Sequence, residues 1–498
     1  MTAIRTLVVS FVLASLTGAQ DLGGGAPASH GRVPRFALES WIPGTGTAAR
    51  FDDAPPSVSA LAGILAFAPT TLTVPGFAGT LLADPALAIV FAMPGGRVSL
   101  GTLPLVASGA RVWLQGVWLD PLAGAGFTDA HIADLFNPIV MVGNQRQTAN
   151  SISVVDLVSR TVTGRLGNSE NGSVAFSPDR TRAYVCEPGL RRNVVTVYDL
   201  LQVPIAQVAQ LPTTGGIRYR GEFDPLGSRL YVPVHDGVDV FDTDPASPSY
   251  HQHLAKIPAS IAGSSTSIFT GPIDLAVTPD GTRLLIAYGA YVNYPATTPM
   301  DIVDLVAPGY ATRTIQLTTG GTAIGLATKN AVRVSPDGRY AYVLEFGFPA
   351  TFPLVMGFAN GALVNVVDLA TETEVATIDT FGVAQHEMVI SRTGRDLWIA
   401  QVTAAGLAQL VRIDVDRRSA TRNTLRSTIT LDPVVYSSST GARGVGVTPD
   451  GGTVCVSLVE GPNHPTPELV TLDAWTEALV GAPIGVESLP ATVAVQTR

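Results

Sequence analysis

One ten-residue pattern constrains this chain more than any other feature. "FSPDRTRAYV" begins at Phe176, "VTPDGTRLLI" at Val277, "VSPDGRYAYV" at Val334 and "VTPDGGTVCV" at Val447, with degenerate copies "FDPLGSRLYV" at Phe223 and "ISRTGRDLWI" at Ile390. A catalytic turn is used once, whereas a turn that belongs to a fold unit returns with the unit. Six copies spaced by roughly 45–60 residues signal a solenoid or a propeller. Ser335-Pro336-Asp337-Gly338 reads as a turn in which proline sets φ, aspartate bonds nearby backbone and glycine takes the exit.

A second mark gives the unit count. Strand-like strings end in an aspartate at Asp156, Asp199, Asp242, Asp304, Asp368, Asp414 and Asp473, seven in all. The alternation is that of strands, without a sustained helical period. Each unit comprises a strand into the turn, a strand out of it, the aspartate strand and a short outer strand. Four-stranded sheets repeated radially form a β-propeller, which protects its sheet edges by closing the ring. The expected fold is therefore all-β, a propeller of seven blades. The first unit lacks a strand of the turn-leading kind, and "LPATVAVQ" near the C-terminus looks like that strand. Val493 to Gln496 is thus expected to close the blade begun near Ile139.

The combination of an SPDG turn, a "YV" strand and a "V-x-V-x-D" strand resembles the YVTN-family β-propeller repeat proteins, over about residues 137–498. The resemblance implies a seven-bladed, often exported propeller, and no single activity. The asparagine of the family's name is missing here, as in "YVCE" and "YVLE".

Residues 1–19 read as an export signal, with Arg5 before an apolar run from Leu7 to Leu16 and small residues ahead of Gln20. Export implies a periplasmic, cell-surface or extracellular protein, with no membrane span once the signal is removed. Residues 20–136 read as a linker plus a small β-rich module in which Trp113 and Trp118 are core or carbohydrate-stacking aromatics. Cys186 and Cys455 lie in apolar strand strings of separate units and are expected as buried free thiols. The net charge of −9 with no basic run argues against a nucleic-acid partner.

In a propeller the SPDG turns and the terminal aspartates share one face, and length variation collects on the other. Three insertions, beginning at Gly289, Phe346 and Val459, fall on that other face. They carry Tyr291, Tyr294, Phe348 and Phe352, either as a binding surface or as small cores under their own loops. Aligning the turn-leading strands puts Arg220, Asp274, Asn330, His386, Glu387 and Arg443 near the channel entrance on that face. The arginines there suit a carboxylate or phosphate, although polar side chains also suit a water-filled channel. No metal site is assigned. His251 and His253 have ligand-like spacing but also fit a solvated outer strand, and Asp239, Asp242 and Asp244 would suit calcium but lack the spacing of a calcium loop. There is no nucleophile elbow, phosphate loop or paired-cysteine zinc spacing.

Two functions follow as expectations. One is a monomeric binding scaffold for a protein or glycan on the insertion-bearing face. The other is a hydrolase resembling the propeller lactonases, using Arg220, His386, Glu387 and Arg443. A haem or copper propeller is a third, without an attachment motif to support it.

Overall fold

The computed structural model describes residues 20–23, 35–38, 46–52, 60–66, 69–72, 77–78, 81–83, 88–93, 97–102, 111–120, 124–128, 130–134, 138–144, 152–167, 172–187, 193–261, 271–289, 297–318, 325–349, 363–391, 393–403, 405–435, 441–449, 451–459, 466–487 and 490–496. Every regular element among them is a strand.

The repeat region builds four-strand antiparallel units. The first orders Thr161–Leu166, Ile152–Asp156, Ile139–Asn144 and Pro490–Val495; the second runs from Ser173–Phe176 to Ala206–Pro212 and the third from Glu222–Phe223 to His253–Pro258. The fourth (Gly271–Val277 to Thr312–Thr318) and fifth (Gly325–Val334 to Thr373–Asp379) are joined into one sheet by the pairing Gly289↔Thr328. The sixth spans Gly382–Ile390 to Thr424–Val435, and the seventh Ala442–Val447 to Ile484–Gly485. The expected seam is present: Val140 pairs with Val495 and Val142 with Val493.

Why the recurring motifs read as they do is visible at each turn. Ser335 N–H donates to Tyr340 C=O, Gly338 N–H to Ser335 C=O, and Ser335 Oγ to Asp337 Oδ1. Gly338 takes φ 71°, in the left-handed region where glycine carries no Cβ penalty, and Gly227, Gly281, Gly394 and Gly451 do the same. Every terminal aspartate after Asp156 lies opposite the residue that follows this turn, as Arg283 faces Asp304 and Thr453 faces Asp473, so both motifs share one end of the sheets. The aspartates close the next hairpin: Asp304 Oδ1 accepts the N–H groups of Val306 and Ala307, and Asp473 Oδ1 those of Trp475 and Thr476.

The apolar core lies between sheets. Among the described residues, seven buried clusters each bridge two units; Tyr184 and Val197 of the second, for example, pack with Leu230 and Phe241 of the third. The series returns on itself, because Val140 and Val155 of the first unit pack with Cys455 and Leu469 of the seventh. Cys186 and Cys455 are both buried and free, and burial pushes the Cys186 thiol up to about 12.

Buried polar residues fasten the connections between units. Asp239 accepts both the N–H (2.6 Å) and the hydroxyl (2.8 Å) of Thr214. Asp301 accepts Ser260 N–H (3.1 Å), Thr314 Oγ1 (2.7 Å) and the Tyr288 hydroxyl, while Asn365 Nδ2 donates to Thr318 C=O (2.9 Å). Each stands three positions before a terminal aspartate and holds the segment that leaves the preceding unit.

The N-terminal strands form sheets of seven, three and two strands. Trp118 is fully buried beside Gly126, where a Cβ would lie 2.4 Å from its ring, so Trp118 is a core residue. The Trp113 side chain lies outside the described residues.

Candidate functional site

The inner strand of each unit is paired along one edge, and among the described residues its other edge carries no ladder apart from the single pairing Gly289↔Thr328. Open edges carry N–H and C=O groups that need partners when buried. Two carboxylates supply some of them. Glu387 Oε2 accepts Val445 N–H (3.2 Å) and Val493 N–H (3.3 Å), and Asp274 Oδ2 accepts Val332 N–H (3.0 Å).

Arg220 joins these carboxylates. Its Nη1 donates to Glu387 Oε1 at 3.2 Å, and its Nε lies 3.7 Å from Asp274 Oδ1. Arg333 Nη1 reaches Asp274 Oδ2 at 2.5 Å and also donates to Val332 C=O. Asp274 is 0 % and Glu387 1 % exposed. Burial pushes each carboxyl up to about 7, against the pull of Arg220. Burial also works against the charge on Arg220, but Asp274 and Glu387 outweigh it and raise its pKa. Burial lowers the pKa of Arg443, with Tyr219 opposing, and burial followed by Glu387 raises Tyr219 well above its ordinary value.

Of the expected entrance residues, Arg220, Asp274 and Glu387 thus converge as mutual partners that tie together the inner edges of several units. The strand register explains the others. One-residue irregularities fall between Lys329 and Ala331 and between Gln385 and Glu387, which makes Asn330 and His386 the extra residues of β-bulges. Bulges turn side chains away from the regular alternation. The side chains of Asn330, His386 and Phe348 lie outside the described residues, as do Tyr291, Tyr294 and Phe352 altogether.

Arg333 is a member that the aligned entrance set does not include. Two positions before each turn stand Ala175, Glu222, Ala276, Arg333, Val389 and Gly446, so Arg333 and Glu222 are the charged exceptions in that row.

On the turn side of this cluster is a cavity of about 520 Å³. One segment from the inner strand of every unit lines it, including Val174, Val277, Val334, Val389, Val447 and Val495. Pro178, Pro225, Pro279 and Pro336 form its rim. The cavity therefore opens toward the SPDG face, whereas the sequence directs attention to the opposite one.

The other candidate groups are engaged elsewhere. His251 Nε2 pairs with the Tyr184 hydroxyl (2.9 Å) and His253 Nε2 with Asp239 (3.2 Å), so the two imidazoles part. Asp242 Oδ2 accepts the Ser247 and Ser249 hydroxyls and its Oδ1 accepts Asp244 N–H, while Asp239 is committed to Thr214.

No protein-family model and no curated protein matches the chain. Solved β-propellers do. The periplasmic gluconolactonase PpgL of Pseudomonas aeruginosa aligns over 72 % of this chain and 99 % of its own at 16 % identity, TM-score 0.51. A 6-phosphogluconolactonase candidate from Bacteroides fragilis aligns over 72 % and 98 % at 15 % identity, TM-score 0.51. At such identities the likeness shows the fold alone, a β-propeller.

Proposed function

We propose that this protein is an exported, monomeric seven-bladed β-propeller that serves as a binding scaffold, recognising a protein or glycan through the insertion-bearing face. The inner-strand lining of the cavity and the seam between Ile139–Asn144 and Pro490–Val495 support the blade count and closure. The observation that carries the scaffold reading is the state of Glu387. One of its oxygens holds Arg220 and the other holds two backbone N–H groups, so the best-placed carboxylate acts as a fastener and not as a free base. Glycan-array and protein-capture screens test the reading. Saturable binding that is lost in Tyr291→Ala or Phe352→Ala is the expected result; binding that survives both, or no ligand in either screen, overturns it.

The alternative is a propeller lactonase-like hydrolase. One observation favours it: Arg220 Nη1 lies 3.2 Å from Glu387 Oε1 in a buried setting that pushes the carboxyl up to about 7, which suits proton transfer at physiological pH. Gluconolactone hydrolysis above the spontaneous rate, abolished in a folded Glu387→Gln variant, is the outcome this reading expects. A rate equal to the uncatalysed one removes it.

A further inference from the structure

The cavity on the turn side is a feature that neither reading above uses. Its volume of about 520 Å³ lies within the usual range of small-molecule sites, ~300–1,000 Å³, which pair apolar walls with a few placed polar groups. The walls here are valines and prolines, interrupted by polar groups of two kinds.

The first kind is the pair of guanidiniums at one end. Arg220 and Arg333 both line the cavity. Arg220 donates to Glu387 through Nη1 alone, whereas Arg333 Nη2 is buried out of reach of the cavity, so Arg220 is the guanidinium that can donate into it. The second kind is the strand edges. Val332, Val445 and Val493 turn their N–H groups away from their own sheets toward Asp274 and Glu387. In an antiparallel strand the same edge carries the N–H and C=O of the residue two positions further on. Those residues are Val334, Val447 and Val495, and all of them line the cavity. An edge residue presents a donor and an acceptor side by side, and the hydroxyl is a neutral group that answers both.

Charge disfavours an ion. Arg220 and Arg333 pair with Asp274 and Glu387, which are not lining residues, and Glu222 and Asp224 belong to the lining. An anion would meet these carboxylates, and a cation would meet the guanidiniums.

We infer that this cavity binds a small uncharged polyhydroxyl molecule, with a hydroxyl oxygen accepting from Arg220 and other hydroxyls pairing with the open edges at Val334, Val447 and Val495. The test is titration of the whole protein with glycerol, myo-inositol and glucose, alongside glucuronate and glucosamine as charged counterparts, by calorimetry and saturation-transfer NMR. At least one neutral probe saturates at millimolar concentration. Arg220→Lys, which keeps the charge beside Glu387 but removes the second prong, weakens it about tenfold. Ala494→Leu, which fills the lining, abolishes it, and Tyr291→Ala leaves it unchanged, which separates this site from the loop reading. Three results overturn the proposal: no neutral probe saturates, a charged counterpart binds more tightly, or binding is the same in folded Arg220→Lys and Ala494→Leu as in the native chain.

Discussion

Gly338 shows what the recurring turn demands of one residue. A Cβ built there would lie 3.6 Å from Pro279, an ordinary contact, so space does not require glycine. The φ of 71° does. Gly338→Ala is expected to lower stability by about 1–2 kcal/mol in chemical denaturation, with little change in the denaturant slope. The charged cluster makes a residue-scale prediction of another sort. Asp274 and Glu387 hold their protons more tightly in the fold than in the unfolded chain, with values raised from 3.8 and 4.5 to about 7. The folded state therefore binds more protons between about pH 4 and 7. The contribution of these groups to stability is full below pH 4, falls as pH rises and levels off above about pH 7. Glu387→Gln should flatten that fall in unfolding experiments across this window. An unchanged slope would show that Glu387 does not titrate there.

Among the elements, the strands and their turns were legible because their signals are local. Proline, aspartate and glycine at fixed offsets act through the backbone beside them, and the structure has them doing so at Ser335–Gly338 and Asp304. The fastening residues were less legible. Asp301 is one acidic residue in "MDIVD", and nothing in that string says that it reaches Ser260, Thr314 and Tyr288. The candidate site was half legible for a similar reason. Counting back from the turns finds Arg220, Asp274 and Glu387, but bulges at Asn330 and His386 shift the count by one, and no spacing rule announces a bulge. Arg333 needed the row two positions before the turn, which becomes meaningful once the inner strands are known to surround one cavity. The clamp at Asp301 is directly testable. Asp301→Ala leaves the Tyr288 hydroxyl without its acceptor and Ser260 N–H with the Tyr288 oxygen alone, and should cost roughly 2–4 kcal/mol. In a double-mutant cycle with Tyr288→Phe the two costs should be clearly less than additive.

At the scale of the molecule, every unit packs against its neighbours in sequence, the first also packs against the seventh, and within the first, two strands from distant parts of the chain meet at the seam. Ile139 N–H and Gln496 Oε1, 357 positions apart, sit on either side of it. Deleting 490–498 would leave Ile139–Asn144 as an open edge and take the Val493 N–H away from Glu387 Oε2. The expected result is loss of a single cooperative unfolding transition and concentration-dependent association in light scattering. A truncated chain that stays monomeric and unfolds in one step would show that the seam is dispensable.

The seam also sets a timetable. A chain made from its N-terminus produces the strand Ile139–Asn144 early and its inner partner Pro490–Val495 last. For most of synthesis that strand has one edge satisfied and one bare, a template for any other extended segment nearby. Pairings between such distant positions are also slow to form. The interval between the two strands, more than any weakness of the finished ring, is when this molecule is most exposed to mispairing.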